Sequence, residues 1–502
     1  MLAETATECN VFEAARQDLN NTIDWIQRAA RDGTSAHAAE KFLQIQAKAL
    51  NHKLLQGFFD RVGPGYLGPT VTLAEGHVVQ CWPELQDRRL VTTFGEFTLW
   101  RHVYGTRPGQ KIELAPTDQR LQLPQGEVSY LLQEWDQKLG IEDAFRKVAQ
   151  DLEDMMEIKQ PVDTLERGSR QMAEAAPAFR AAQPAPDPEA EGQFLVASED
   201  NKGVPMVRPA QAAPAGADDK KEEKSNKKQM ASIAVVYTVD PHVRTPSEVI
   251  AALFRDPGPR PPSGPKACQK RYWAELTRKE KGKLVKAQPR VFLHMATDIA
   301  LRRKPDQILV HLSDGQLSLE TDRNKYLPRD AGTVDILDLL HVLPRLWAVA
   351  HLFLLEGTDA ARRFVRERLP YVLNGNTAGL IAEFRQLGTQ HGLRGTKAAR
   401  LRKACQFLEN NLHRMKYDEY LKAGYPIATG VIEGACRHVI KDRMERTGMR
   451  WKVPGAQAML ELRAIAINGD WAAFQTFRIE RENARLYPHK DVVERIPWPI
   501  AA

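Results

Sequence analysis

Cysteine is scarce in this chain and poorly placed for cross-linking. Five are scattered over 502 residues (Cys9, Cys81, Cys268, Cys405, Cys436), and no Cys-x-x-Cys spacing occurs. That excludes a zinc ribbon and a disulfide framework, and it points to a reducing cytosol. Long apolar runs are missing as well. The greasiest stretch, Leu346 to Leu355, is too short to cross a bilayer and contains His351. The opening residues MLAETATECN hold neither a basic block nor an apolar one, so no secretory signal and no membrane partner are expected. There is no glycine-rich phosphate loop, no dinucleotide-binding glycine signature and no serine elbow, which weighs against NTPase, dehydrogenase and serine-hydrolase chemistry.

What is present is length and positive charge. A chain of 502 residues has room for two to four domains, and its 43% apolar content is ordinary for a soluble globular protein. The net charge of +7 favours a polyanionic partner. From Arg255 to Arg290 there are 11 Lys/Arg against 3 Asp/Glu, a local +8 that leaves the rest of the chain at −1. Prolines 257, 259, 261, 262 and 265 keep the first half of that segment extended, and Tyr272 and Trp273 stand among the cations. A basic loop with aromatics can track a phosphate backbone and stack on a base, with Lys270, Arg271, Lys279, Lys281 and Lys283 as its contacts. The competing reading is a solvated, Lys-rich helix around Leu276 to Lys286.

Helical spacing runs from about Val11 to Phe59, and a β-hairpin is expected from Leu90–Phe94 and Phe97–Tyr104 around Gly95-Glu96. Val128–Met156 and Pro161–Ala173 read as helices. The pair Glu142–Met156 and Val162–Met172 could form a helix-turn-helix, although such pairs are more often plain packing. The Ala/Pro-rich stretch 174–192 reads as the linker between domains. Beyond it the expected order is three strands (Phe194–Ser198, Val204–Val207, Ile233–Val239), a helix (Val291–Arg302), a short buried strand (Ile308–Leu312) and a long helix (Val334–Leu355). Gln211–Lys228 is charged and of low complexity, a loop. The organisation expected is therefore a mainly helical N-terminal region with a β-hairpin (1–173), the linker, an α/β core in two parts (193–358 and 425–502), and a helical insertion (359–424) between them.

The chemistry concentrates in Tyr425 to Trp451, YPIATGVIEGACRHVIKDRMERTGMRW. Glu433, Arg437 and Lys441 follow at i, i+4 and i+8, so a helix sets them on one side, with Arg443, Arg446 and Arg450 adding a second cationic group. A carboxylate beside cations suits a site where a metal ion and a phosphate backbone meet; i,i+4 salt bridges on a surface helix are the plain alternative. Trp451 reads as packed rather than stacking on a base. A phosphodiester-cleaving site needs several hard oxygen ligands. Asp314 follows the apolar run Ile308–Leu312 closely, and Asp200 follows Phe194–Ser198 in the segment DNKGVPM. Asp338 and His341 form a D-x-x-H one helical turn apart.

These segments resemble DDE-type transposases of bacterial insertion sequences, specifically the ISKra group. The likeness is carried by GVIEGAC and KDRMERTGMRW, by SEDNKGVPM and HLSDGQLSLE, and by YTVDPHVRTPSEVIAALFRDP, VDILDLLHVLPRLWAVAHLF and GAQAMLELRAIAINGDW; it runs from about residue 90 to residue 487. Asn201 stands where that family typically has Gly, and a turn is expected to survive there, since Asn tolerates the left-handed conformation. The resemblance implies an RNase H-like catalytic core with a helical insertion. It implies Asp200, Asp314 and Glu433 as catalytic acids holding two Mg²⁺ or Mn²⁺ ions, with Asp338 and His341 in support, as in the Mutator-like D-x-x-H. Partners would be double-stranded DNA (inverted-repeat ends and a target) and a second copy of the chain, as a homodimer or larger assembly on DNA, in a bacterial cytoplasm at the nucleoid. A structure-selective nuclease of the RNase H superfamily and a catalytically silent, domesticated DNA-binding protein are the alternatives. Glu199, Asp240, Asp335 and Glu320 are expected to be dispensable.

Overall fold

The computed structural model describes residues 11–207, 228–257, 264–280, 282–428, 430–446 and 448–498. The low-complexity stretch Gln211–Lys228, apart from Lys228, lies outside these residues, as do Pro259, Pro261, Pro262 and Lys281. The chain folds as two compact units, Met1–Gly168 with Ala472–Ala502, and Ser169–Trp471.

This division differs from the expected one in two ways. First, 174–192 is not an open linker. Ala176–Ala182 is a helix, α1, with Ala176 and Phe179 buried. Its alanines are strong helix formers and Pro177 sits in the first turn, where a missing N–H costs nothing. Arg180 lies 3.7 Å from Glu461, and Glu191 pairs with Arg302 at 2.8 Å, so the stretch is fastened to the second unit. Second, Ala472–Ala502 belongs with the N-terminal residues rather than with the core. Val493 is buried with Val71, Val79, Tyr104 and Leu114.

The first unit opens with a helical hairpin, Glu13–Arg31 and Ala36–Val62. The expected β-hairpin is present, pairing Gln86–Thr92 with Gly95–Arg101, and a three-stranded sheet accompanies it. The helix expected over 128–156 is two, Tyr130–Gly140 and Phe145–Met156. Phe145–Met156 and Val162–Ala173 meet through Val148, Leu152 and Leu165.

The second unit is mixed α/β around five strands: β1 (Phe194–Pro205), β2 (Lys228–Val239), β3 (Cys268–Leu276), β4 (Leu309–Ser313) and β5 (Thr333–Leu337). Their order across the sheet is β5-β4-β1-β2-β3. β2 runs antiparallel to β1 and β3, whereas β1, β4 and β5 are parallel to one another. Three expectations are corrected by this sheet. The segments Phe194–Ser198 and Val204–Val207 are one strand, because twelve consecutive residues of β1 pair with β2 and the ladder carries Asp200, Asn201 and Gly203 straight through. No turn exists at Asn201, which pairs with Ser232. Second, the basic segment supplies β3, a strand with Tyr272 and Trp273 each only 7% exposed, and then a short ribbon pairing Arg278–Glu280 with Lys283–Val285. It is neither an aromatic loop nor a Lys-rich helix. Third, Val334–Leu355 is not one helix, since it begins in β5.

One face of the sheet, through Leu195, Ala197, Ala234, Val236 and Leu309, packs on Val291, Phe292, Met295 and Ile299 of α2 (Ala287–Arg302). The chain after β5 forms α3 (Leu339–Phe353), then four more helices, α4 (Asp359–Leu373), α5 (Thr377–Gln390), α6 (Gly395–Asn411) and α7 (Tyr417–Ala423). It returns through α8 (Gly430–Ala435) and a π-helical turn, Cys436–Lys441, to α9 (Val453–Ile467), whose residues Ala456 to Ile465 are all buried. Among the described residues, no helix is long and apolar enough to cross a membrane.

Two outcomes test these packings. Ending the chain at Trp471 removes Val493 from the cluster around Tyr104, so the first unit should melt lower and be cut sooner by protease, while the second unit keeps its resistance; an unchanged first unit would refute the division. In the first unit, burial pushes Asp136 up to about 7. The folded state then holds a proton that the unfolded state releases near pH 4, so stability is full below that pH and is lost as pH rises to about 7. Asp136→Asn should therefore raise Tm at pH 8 and change it little at pH 4.5.

Candidate active site

Two of the expected acids lie on, or just after, adjacent parallel strands. β4 pairs with β1 in parallel register, Leu309 with Leu195 and His311 with Ala197. The ladder ends at that pair, three positions before Asp314 and Asp200. The Ser198 hydroxyl donates to Leu312 O at 2.6 Å. β4 pairs with β5 as far as Ser313 and Leu337, and Asp338 N–H donates to Ser313 O at 2.9 Å, so Asp338 comes next to Asp314. Asp314 and Asp338 therefore come next to each other where β4 and β5 end.

Alternation along β1 decides which acid faces where. Asp200 is 7% exposed and points to the side of α8, where Cys436 Sγ donates to its Oδ2 at 3.2 Å. Lys202, two residues on and thus on the same face, sets its ammonium 2.8 Å from the same oxygen. Burial works against the Lys202 charge, but the Asp200 carboxylate, with further attraction from Glu433, outweighs it and holds its pKa above the ordinary lysine range. Glu433 is exposed on α8, three residues before the Cys436 that donates to Asp200. Burial, then the Asp200 carboxylate, pushes the Cys436 thiol well above its ordinary range.

The neighbouring acid, Glu199, faces the opposite way. It is 1% exposed, with Oε2 2.8 Å from His311 Nε2. Asp335 lies 2.9 Å from Arg323, and Glu320 lies 3.4 Å from Arg414. These three are poor neutral controls, contrary to expectation, because each is hydrogen-bonded or ion-paired with a buried partner; Asp240, which is exposed, is the better one. Asp338 caps α3, its side chain accepting from Leu340 N at 2.8 Å, and its link to His341 runs through the backbone, His341 N–H donating to Asp338 O at 2.9 Å.

Each aspartate is held by its own surroundings. Asp200 Oδ1 accepts from Asn201 N at 2.6 Å, and Asp314 Oδ1 from Gln316 N at 2.7 Å. Among the described residues, no three His, Cys, Asp or Glu side chains stand close enough to hold a metal ion as they are. The donor set itself, carboxylate oxygens with a cation already drawn to Asp200, is the hard-oxygen chemistry that Mg²⁺ or Mn²⁺ takes.

The cationic residues separate into surface and core. Arg437, Lys441, Arg446, Arg450, Lys270, Lys279 and Lys283 are exposed. The π-helical turn breaks the strict i,i+4 alignment of Glu433, Arg437 and Lys441, and Arg437 sits 3.5 Å from Asp442. Arg443 leaves the surface set, being 1% exposed with its guanidinium 4.9 Å from the Trp451 ring. Trp451 is packed, 7% exposed, and donates to Met444 O. Arg271 is tied to Asp298 at 2.9 Å. Sequence reasoning missed Lys202 and Cys436, the side chains that touch Asp200. The spacing of two between Asp200 and Lys202 held the signal, but only for a strand that continues through Asn201.

No protein-family model and no curated protein matches this chain. Comparison with solved structures finds the Drosophila P element transposase strand transfer complex, 10% identical, covering 77% of this chain and 86% of that chain, with a TM-score of 0.22. A score that low does not establish a shared fold.

The geometry around Asp200 is testable through the thiols. Cys268 is exposed, whereas Cys405 and Cys436 are buried. Among these three, a thiol reagent at pH 8 should modify Cys268 at once and reach Cys405 and Cys436 only on unfolding. Rapid native modification of Cys436 would mean that α8 does not close over Asp200.

Proposed function

We propose that this chain is a DNA transposase of the DDE type, resembling the ISKra group, which binds the ends of an insertion sequence and cleaves and joins DNA strands. The observation that carries the reading is the parallel pairing of β1, which holds Asp200, with β4, which ends just before Asp314, while Cys436, three residues after Glu433, donates to Asp200. The five-stranded sheet, with only β2 reversed, and the helices α4–α7 between Asp338 and Glu433 in the chain accord with the core and helical insertion that the resemblance implies.

In this reading Asp200, Asp314 and Glu433 would hold Mg²⁺ or Mn²⁺, two ions in all, and Asp338 would position the turn beside Asp314 through its cap on α3. Bound there, divalent metal supplies activation of the attacking hydroxyl and stabilisation of the leaving oxygen in an in-line displacement at phosphorus. The protein's own part is to orient the phosphodiester, with the exposed cations Arg437, Lys441, Arg446 and Arg450 binding its neighbours in the strand. The helices Phe145–Met156 and Val162–Ala173 would read the element's ends, and synapsis of two ends would require at least two copies of the chain. The work belongs in a bacterial cytoplasm, at the nucleoid.

One observation favours the silent DNA-binding alternative. Every aspartate is already engaged by protein donors, and Lys202 neutralises Asp200. The acids decide between the readings. Asp200→Asn, Asp314→Asn and Glu433→Gln should each abolish Mn²⁺-dependent cleavage and strand transfer on a duplex carrying the element's ends. DNA binding should persist or tighten as like-charge repulsion falls, and Asp240→Asn should behave as wild type. Normal cleavage by Asp200→Asn would exclude this site; cleavage without joining would favour the nuclease.

A further inference from the structure

The basic segment 255–290 is matched by a second concentration of charge. The insertion, residues 359–424, carries 13 Lys/Arg against 6 Asp/Glu, a net +7 that equals the whole chain's. Summed with the rest, it is cancelled by acids elsewhere. Five of its cations (Arg394, Lys397, Arg400, Arg402, Lys403) fall within ten residues without an acid, and all five are exposed.

They occupy the start of α6 and the turn leading to it from α5. Gly388 allows the two helices to approach, since a Cβ there would collide with the Leu401 side chain. Beside this contact lies a cleft of 540 Å³ whose polar wall is Arg385, Thr389, Arg394, Arg402 and Gln406, with Glu409 its one acid. Glu409 is spoken for by Arg385 at 2.5 Å. Arg394 and Arg402 therefore face the cleft with no acid of their own among the ion pairs of the described residues, and Arg400 and Lys403 continue the charge over the outer side of the helix.

We propose that this cleft is a second DNA-binding surface, taking backbone phosphates of duplex DNA beyond the cleavage point. Two features favour DNA over an acidic protein. The charge is guanidinium-rich and carried on a rigid helix, which suits phosphates at regular spacing. The helix also leads to the aspartate edge. At its far end Phe407 and Asn411 pack on Gly315, and Arg414 donates to the Ser313 hydroxyl at 2.9 Å. Between Asn411 and the cleft residues Arg402 and Arg394 lie about 9 to 17 residues, about 14 to 26 Å of helix at about 1.5 Å per residue. At about 3.4 Å per base pair the cleft holds phosphates about 4 to 8 base pairs from the bond cut. This spacing rests on the catalytic reading above; the DNA contact itself does not.

The experiment is salt-dependent binding of the full chain to a labelled duplex of about 40 base pairs, without divalent metal. The double variant Arg394→Gln/Arg402→Gln should flatten the slope of log affinity against log salt by about two, and Arg394→Lys/Arg402→Lys should restore most of it. Because both side chains are exposed, the melting curves should coincide. An unchanged slope overturns the proposal, as does a loss confined to single-stranded RNA or a polyglutamate competitor. The spacing is read separately, by shortening the duplex on one side of the cut. Below about 4 base pairs wild type and double variant should bind alike, and a difference that persists overturns the ruler. Failure to cut any substrate sinks the catalytic reading while the slope still decides the cleft.

Discussion

The pairing of β1 with β2 is the constraint on which the rest of the second unit depends. Twelve consecutive residue pairs hold an Asp-Asn-Lys-Gly sequence, poor in strand propensity, in an extended conformation. Because the strand does not break, side chains alternate through it without slipping, and two adjacent acids are sent to opposite faces. Glu199 enters the core against His311, and Asp200 meets α8. A one-residue slip would exchange them.

Alternation also explains how a carboxylate can be as buried as Asp200. An isolated charge there would cost several kcal/mol in lost hydration. Lys202, the Cys436 thiol and the Asn201 amide offset that cost, and two of the three come from β1 itself. The same donors make Asp200 a site of high electrostatic demand: a cation is drawn in from two residues along the strand, on the side of Glu433. The parallel strands β4 and β5 lead into Asp314 and Asp338, each held in place by a backbone amide two residues on.

Positive charge in this chain follows two different logics. Where it is buried or paired it shapes the fold, as with Arg443 on Trp451, Arg271 on Asp298 and Arg302 on Glu191. Where it is exposed it gathers on the β-ribbon after β3, on the turn after α8, and most densely on α6. Residue type alone does not separate the two classes, since Arg443 and Arg446 stand three apart in one basic run and differ wholly in exposure.

Much is legible in the chain itself: the helical character of residues 11–59 and 359–424, and the β-hairpin around Gly95-Glu96. These are local signals, set by hydrophobic period and turn chemistry. Where structure departs from them, the departures share one cause. The strand through Asn201 and the strand carrying Tyr272 and Trp273 stand among turn-forming or charged residues, and β5, though rich in β-branched residues, runs into the apolar stretch of α3. Only hydrogen bonds to strands distant in sequence make them extended. Likewise the Ala/Pro stretch gives no sign of the ion pairs from Arg180 and Glu191, and the segment 472–502 none of its packing on Tyr104. Composition and local pattern settle which residues can bear charge, bend or form helix. Tertiary structure decided which of the charges meet, because strand register, face and burial are properties of pairs of segments rather than of either one.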